Sequence, residues 1–234
     1  MNQDNYTIED DDNPSWQSYS IEEIEQSKEI PENEEPENLT EKTISETEEV
    51  DFSMTELAIA MGRILITPVE GWKSFKRLRI PFQTVNSRLL FPLIGTASLA
   101  SFLGVIIWND KSVKEAIPVG LGMFCSLFFG YFCAYLFSKL LLTKEGKDAM
   151  EGNFGKAYIS MVFSTFSLFA IFYEALQVLQ PILVFLPLWT IYIILKGVRF
   201  LGIPQEVQAR TATTMSVLVL GLPLAVDWIL SFVL

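Results

Sequence analysis

Residues 89–108, LLFPLIGTASLASFLGVIIW, form a run of twenty residues without a charge. At about 1.5 Å of rise per residue, a helix of that length covers the roughly 30 Å hydrocarbon core of a bilayer. Four further apolar stretches follow at 117–138, 157–179, 181–200 and 212–234; residues 157–179 are broken only by Glu174, and 212–234 contain Asp227. The reading is an all-α, polytopic bundle of about five transmembrane spans occupying 89–234. The fourth stretch is the weakest, because Pro181–Leu195 supplies only 15 apolar residues, or roughly 22 Å of helix. It fits a short or tilted span whose Lys196 and Arg199 snorkel to the interface, or a re-entrant hairpin. Ala157 to Phe200 is 44 residues, enough for two crossings, and two spans are the expectation.

Charge separates the rest of the chain from this bundle. Residues 1–51 carry 18 of the 28 acidic residues against Lys28 and Lys42, a net charge of −16, whereas residues 52–234 carry a net +5. A segment so rich in Glu, Asp, Asn and Ser buries too little apolar surface to offset its chain entropy, so an acidic, disordered, cytoplasmic tail is expected. Met1–Asp12 has neither the basic start nor the apolar stretch of a signal peptide, which leaves insertion to the first span. Within the tail, Ser20-Ile21-Glu22-Glu23 has capping-box spacing and is a candidate for folding on a partner, with plain disorder as the alternative.

The bases predict orientation. With five spans, Arg63, Lys73, Lys76, Arg77, Arg79, Arg88, Lys139, Lys144, Lys147, Lys156, Lys196, Arg199 and Arg210 fall on one side and only Lys111 and Lys114 on the other. The positive-inside bias then places the amino terminus in the cytoplasm and the carboxyl terminus outside. Trp108, Tyr173 and Trp228 fall near outer span ends and Tyr135 and Tyr158 near inner ones, as interfacial aromatics do; Trp189, mid-span, does not fit that belt.

Residues 52–88 read as a basic juxtamembrane segment. Pro68 should end a helix that begins near Leu57. Trp72 beside Lys73, Lys76, Arg77 and Arg79 has the composition of an interfacial anchor for anionic lipid headgroups, and equally of an ordinary membrane-proximal linker.

Inside the spans, Gly122, Ser126, Gly130, Ala134 and Ser138 recur every four residues. They form a strip of small side chains on which another helix can pack closely. Thr96, Ala100 and Gly104 make a shorter match in the first span, so packing between these two helices is expected, with a homodimer seam as the alternative. Glu174 and Asp227 are the carboxylates well inside apolar spans; they are a candidate polar site, or, more simply, Glu174 reaches outer headgroups and Asp227 bonds to Ser231 or to a neighbouring helix end. Cys125 and Cys133 lie within an apolar helix and call for neither disulfide nor metal. The sequence contains no His, which closes the Ser–His–Asp, Cys–His and zinc-hydrolase schemes. There is no phosphate loop, EF-hand or CxxC pair, no nucleic-acid module and no call for a cofactor.

The run Ile66-Thr67-Pro68-Val69-Glu70-Gly71-Trp72-Lys73-Ser74-Phe75-Lys76-Arg77 and the stretch Leu188-Trp189-Thr190-Ile191-Tyr192-Ile193-Ile194-Leu195-Lys196-Gly197-Val198-Arg199-Phe200 resemble the Yip1-domain family of small multi-pass membrane proteins, from about Met54 onward. The resemblance implies a cytoplasmic tail on a five-span bundle. Eukaryotic members associate with Rab GTPases in ER–Golgi traffic, but their Asp-Leu-Tyr-Gly-Pro motif is absent; Thr67-Pro68-Val69-Glu70-Gly71-Trp72 stands there instead, as in a prokaryotic-looking branch. The implied location is the cytoplasmic membrane of a bacterium or the ER and Golgi of a eukaryote. The functional expectation is a non-enzymatic scaffold or adaptor whose tail meets a cytoplasmic protein. The alternative is a small transporter or channel subunit using Glu174 and Asp227.

Overall fold

A computed structural model of the chain describes residues 53–176 and 179–232, all within the unit Val50–Leu234. The acidic tail and its capping-box match lie outside the described residues. Among the described residues the structure is helical throughout, and five helices are long and apolar enough to cross a bilayer.

Two short helices precede the spans. Helix α1 (Met54–Ile66) opens on a capping box, in which Ser53 Oγ accepts from Glu56 N (3.2 Å) and the Glu56 carboxylate accepts from Ser53 N (2.9 Å). It stops where Pro68 takes the first position of α2 (Pro68–Leu78), the place where a missing N–H costs no helical hydrogen bond. The one-residue junction forces a close corner. A Cβ built on Gly71 would stand 2.5 Å from Ile64 Cα, so only glycine lets the second helix leave there.

Arg79, in the left-handed region at φ 49°, ends α2. Asn153 then clamps the connection, its Oδ1 accepting from Phe82 N and its Nδ2 donating to Ile80 O, both at 3.1 Å. The first span, α3 (Phe82–Asn109), begins seven residues before Leu89 and includes Arg88. Its turn Asn86–Leu90 is π-helical. A widened turn just before Pro92 accommodates a ring that would otherwise crowd the carbonyl one turn back.

The remaining elements are α4 (Val113–Leu141), the short α5 (Lys144–Glu151), α6 (Asn153–Ala175), α7 (Gln180–Leu201) and α8 (Gln205–Leu230). A second capping box, Ser112 with Glu115, starts α4. Helix α6 is the central span: 67% of its apolar window is buried, against 28–39% for the other four. Helix α7 has the length and apolarity of a span, although it turns at Val184 and Phe185 and restarts through Pro187. Leu99, Ile107, Phe129, Leu136, Leu140 and Val217 project outward, as lipid-facing side chains do.

Candidate functional site

The small-residue strip of α4 is buried along its whole length, Gly122 through Ser138. Its mate is α8. Ser126 Oγ donates to Pro223 O (2.5 Å), and a Cβ on Gly130 would stand 2.8 Å from Pro223 Cγ and 3.1 Å from its N and Cα. The glycine makes room for a proline ring, and the serine binds the carbonyl beside it. The first span packs on α4 as well, as expected; of its small residues Gly104 is buried, Ala100 half-buried and Thr96 exposed. Ser98 and Phe102 of α3 lie against Gly120 of α4, and Ser98 Oγ donates to Gly120 O (2.7 Å). Because the chain itself covers the strip, a homodimer through this face would have to displace Pro223.

The headgroup-anchor reading fails for Trp72. Trp72 is 0% exposed; its Nε1 donates to Ile193 O (3.0 Å) and its ring packs on Tyr158, with centroids 4.8 Å apart. An indole with a protein partner for its N–H and no free face cannot meet lipid. Tyr158, expected at the inner interface, is likewise 0% exposed, and its hydroxyl donates to Ile194 O (3.0 Å). Lys73, Lys76, Arg77 and Arg79 instead line a surface groove of about 460 Å³ with Phe200. Lys76 Nζ donates to Phe200 O (2.6 Å) and sits 5.5 Å from the Phe154 ring centre, which ties the basic face of α2 to the end of α7.

Glu174 and Asp227 do come together. Both line one cavity of about 350 Å³, otherwise mostly apolar, walled by Phe166, Phe169, Tyr173, Leu183, Pro187 and Leu224. Glu174 is half-buried and Asp227 exposed. Ser231 Oγ donates to Trp228 O (2.6 Å) rather than to the Asp227 carboxylate. The cavity occupies the half of the bundle away from the bases, and the Ser126–Pro223 contact lies at its inner wall. Towards the basic side, Ile159, Met161, Phe163, Met215 and Val219 are fully buried. Ser164, Thr165 and Ser216 each donate to the carbonyl four residues back, whereas the buried Ser167 and Thr190 hydroxyls have no partner among the described residues.

Sequence reading missed a polar cluster where α3, α4 and α6 meet. Tyr131 Oη accepts from Asn86 Nδ2 (2.9 Å) and lies 3.1 Å from Ser160 Oγ. Asn86 begins the π-helical turn, so the cluster anchors the irregular start of the first span. Tyrosine four residues from Leu127 in an apolar run gave no sign of it. Trp189, the misfit of the aromatic belt, has a reason too: its Nε1 donates to Leu65 O (3.0 Å) at the end of α1.

Fold and surface together define an integral, multi-pass α-helical membrane protein. No protein-family model, curated protein or solved structure matches the chain.

Proposed function

We propose that this protein is a non-enzymatic membrane scaffold or adaptor with its amino terminus and basic face in the cytoplasm, where residues 1–51 meet a protein partner. The observation that carries the reading is the filled interior around α6. Side chains from Ile159 to Phe163 pack fully buried between the spans, with the Ser160, Ser164 and Thr165 hydroxyls bonded to backbone, as in an element built for rigidity. The likeness of Ile66–Arg77 and Leu188–Phe200 to the Yip1-domain family supports the same reading.

One observation favours the second reading, a transporter or channel subunit: the cavity that holds both Glu174 and Asp227. A cavity on one side with close packing beneath it fits a vestibule better than a path. Reconstituting the full chain in proteoliposomes separates the two. The scaffold reading predicts cation flux no greater than empty vesicles, together with a cytoplasmic partner that co-purifies with the full chain and is lost when residues 1–51 are deleted. Flux abolished by Glu174→Gln would establish the transporter reading instead.

A further inference from the structure

We infer that the α1–α2 corner is re-entrant: it enters the bilayer from the basic side, reaches the middle of the fourth span, and turns back among the acyl chains of that leaflet without crossing. The inference rests on α6 and α7 being membrane spans, and it does not depend on the scaffold reading.

Two independent registers place the corner. Along α6, Phe75 lies against Phe154 (6.1 Å between ring centres) and Trp72 against Tyr158 (4.8 Å), so α2 runs antiparallel to the central span, its amino end the deeper one. Along α7, Lys76 bonds to Phe200 O, Trp72 to Ile193 O, and Leu65 O accepts from Trp189. Trp189 stands twelve residues from Leu201, the basic-side end of α7, which is roughly 18 Å of helix. Half of a hydrocarbon core is about 15 Å. The junction Leu65–Val69 therefore sits near the bilayer centre.

The side chains at that depth suit acyl chains. Ile66 is 80% exposed and Val69 43% exposed. An apolar tip of this kind in water would leave its surface uncompensated, whereas at the depth of Trp189 it meets lipid. At the junction Thr67 N donates to Arg63 O and Gly71 N to Thr67 O, both at 2.8 Å, and Pro68 has no N–H to satisfy. The charges nearest the corner are Glu70, which directly follows Val69, and Arg63, two residues before Leu65; both are exposed. A long arginine side chain at that position reaches towards headgroups, and charges on both arms hold the corner to one leaflet. At the exit of α2, the groove formed by Lys73, Lys76, Arg77, Arg79 and Phe200 lies at the surface end of the same register, where lipid phosphates are.

The test measures depth. The full chain, with Cys125 and Cys133 replaced by alanine, carries a single cysteine at Ile66, at Val69 or at the surface position Asp148, labelled with an environment-sensitive fluorophore. Each is reconstituted in phosphatidylcholine–phosphatidylglycerol vesicles. Labels at Ile66→Cys and Val69→Cys are expected to emit as in hydrocarbon and to be protected from iodide. A nitroxide at mid-chain should quench them roughly two-fold more than one near the headgroup, as a position close to the middle of a ~30 Å core requires. The Asp148→Cys label should behave as aqueous. Iodide quenching at Ile66 and Val69 equal to that at Asp148 would overturn the inference, and so would stronger quenching from the headgroup nitroxide than from the mid-chain one. Because Ile66 and Val69 both project from the fold, failure of one variant to reconstitute leaves the other to decide.

Discussion

Trp72 occupies the space that a side chain at position 197 would need: a Cβ on Gly197 would stand 2.7 Å from Trp72 Cε2 and 2.8 Å from its Nε1, and would also strike Tyr158. The residues are 125 positions apart in the chain, and their contact seats α2 on the fourth span. Gly197→Ala must push two buried rings out of their places. Overpacking of this kind costs about 1–3 kcal/mol, so the melting transition in detergent should fall, and an unchanged transition would mean that α2 is not seated there.

Gly130→Leu presses on the Pro223 ring from the opposite helix. A loss of about 1–3 kcal/mol is expected here as well, because neither a proline ring nor the helix backbone behind it can yield. Thermal unfolding in detergent checks it. A normal melting profile would show that α4 does not pack its small-residue strip on α8.

Tyr131→Phe removes the hydroxyl shared by Asn86 and Ser160 while keeping the ring. Leaving buried polar groups without their partner costs about 1–3 kcal/mol. The local consequence is sharper than the global one: amide exchange at Asn86–Leu90, the π-helical turn, should accelerate more than exchange in the middle of α6. Uniform exchange rates would detach the cluster from that turn.

Glu174→Gln and Asp227→Asn remove charges from the walls of a mostly apolar cavity. A carboxylate facing apolar walls without a partner is poorly solvated. The melting temperature of Glu174→Gln should therefore rise or hold at neutral pH, with a smaller effect at the more exposed Asp227. A marked fall for either variant would point to a bound cation or another partner that the charge holds.

The bundle was legible because span length and freedom from charge are properties of a continuous stretch, and each of the five can be read alone. The strip on α4 was legible for the same reason, since a four-residue repeat needs no partner to be seen. Its mate was not: Pro223 reads as a helix irregularity until it is found against Gly130. Trp72 misled because a tryptophan among lysines and arginines looks interfacial, and nothing in local spacing announces Ile193, Tyr158 or Gly197. The start of the first span was set late because Arg88 interrupts the apolar run, although the helix continues through it. The two carboxylates were singled out by their cost in an apolar setting, and their meeting in one cavity became visible only with the packing of α6 against α8.

The central claim, five crossings with the basic face and residues 1–51 in the cytoplasm, is tested most directly by where the carboxyl end lies. A reporter active only outside the cytoplasm, fused after Leu234, is compared with a fluorescent protein that folds only in the cytoplasm, fused at the same point and, separately, before Met1. The account predicts an active external reporter and a dark fluorescent protein after Leu234, with a bright fluorescent protein before Met1. A bright fluorescent protein after Leu234 would contradict it, removing one crossing from the bundle, most readily the broken helix α7.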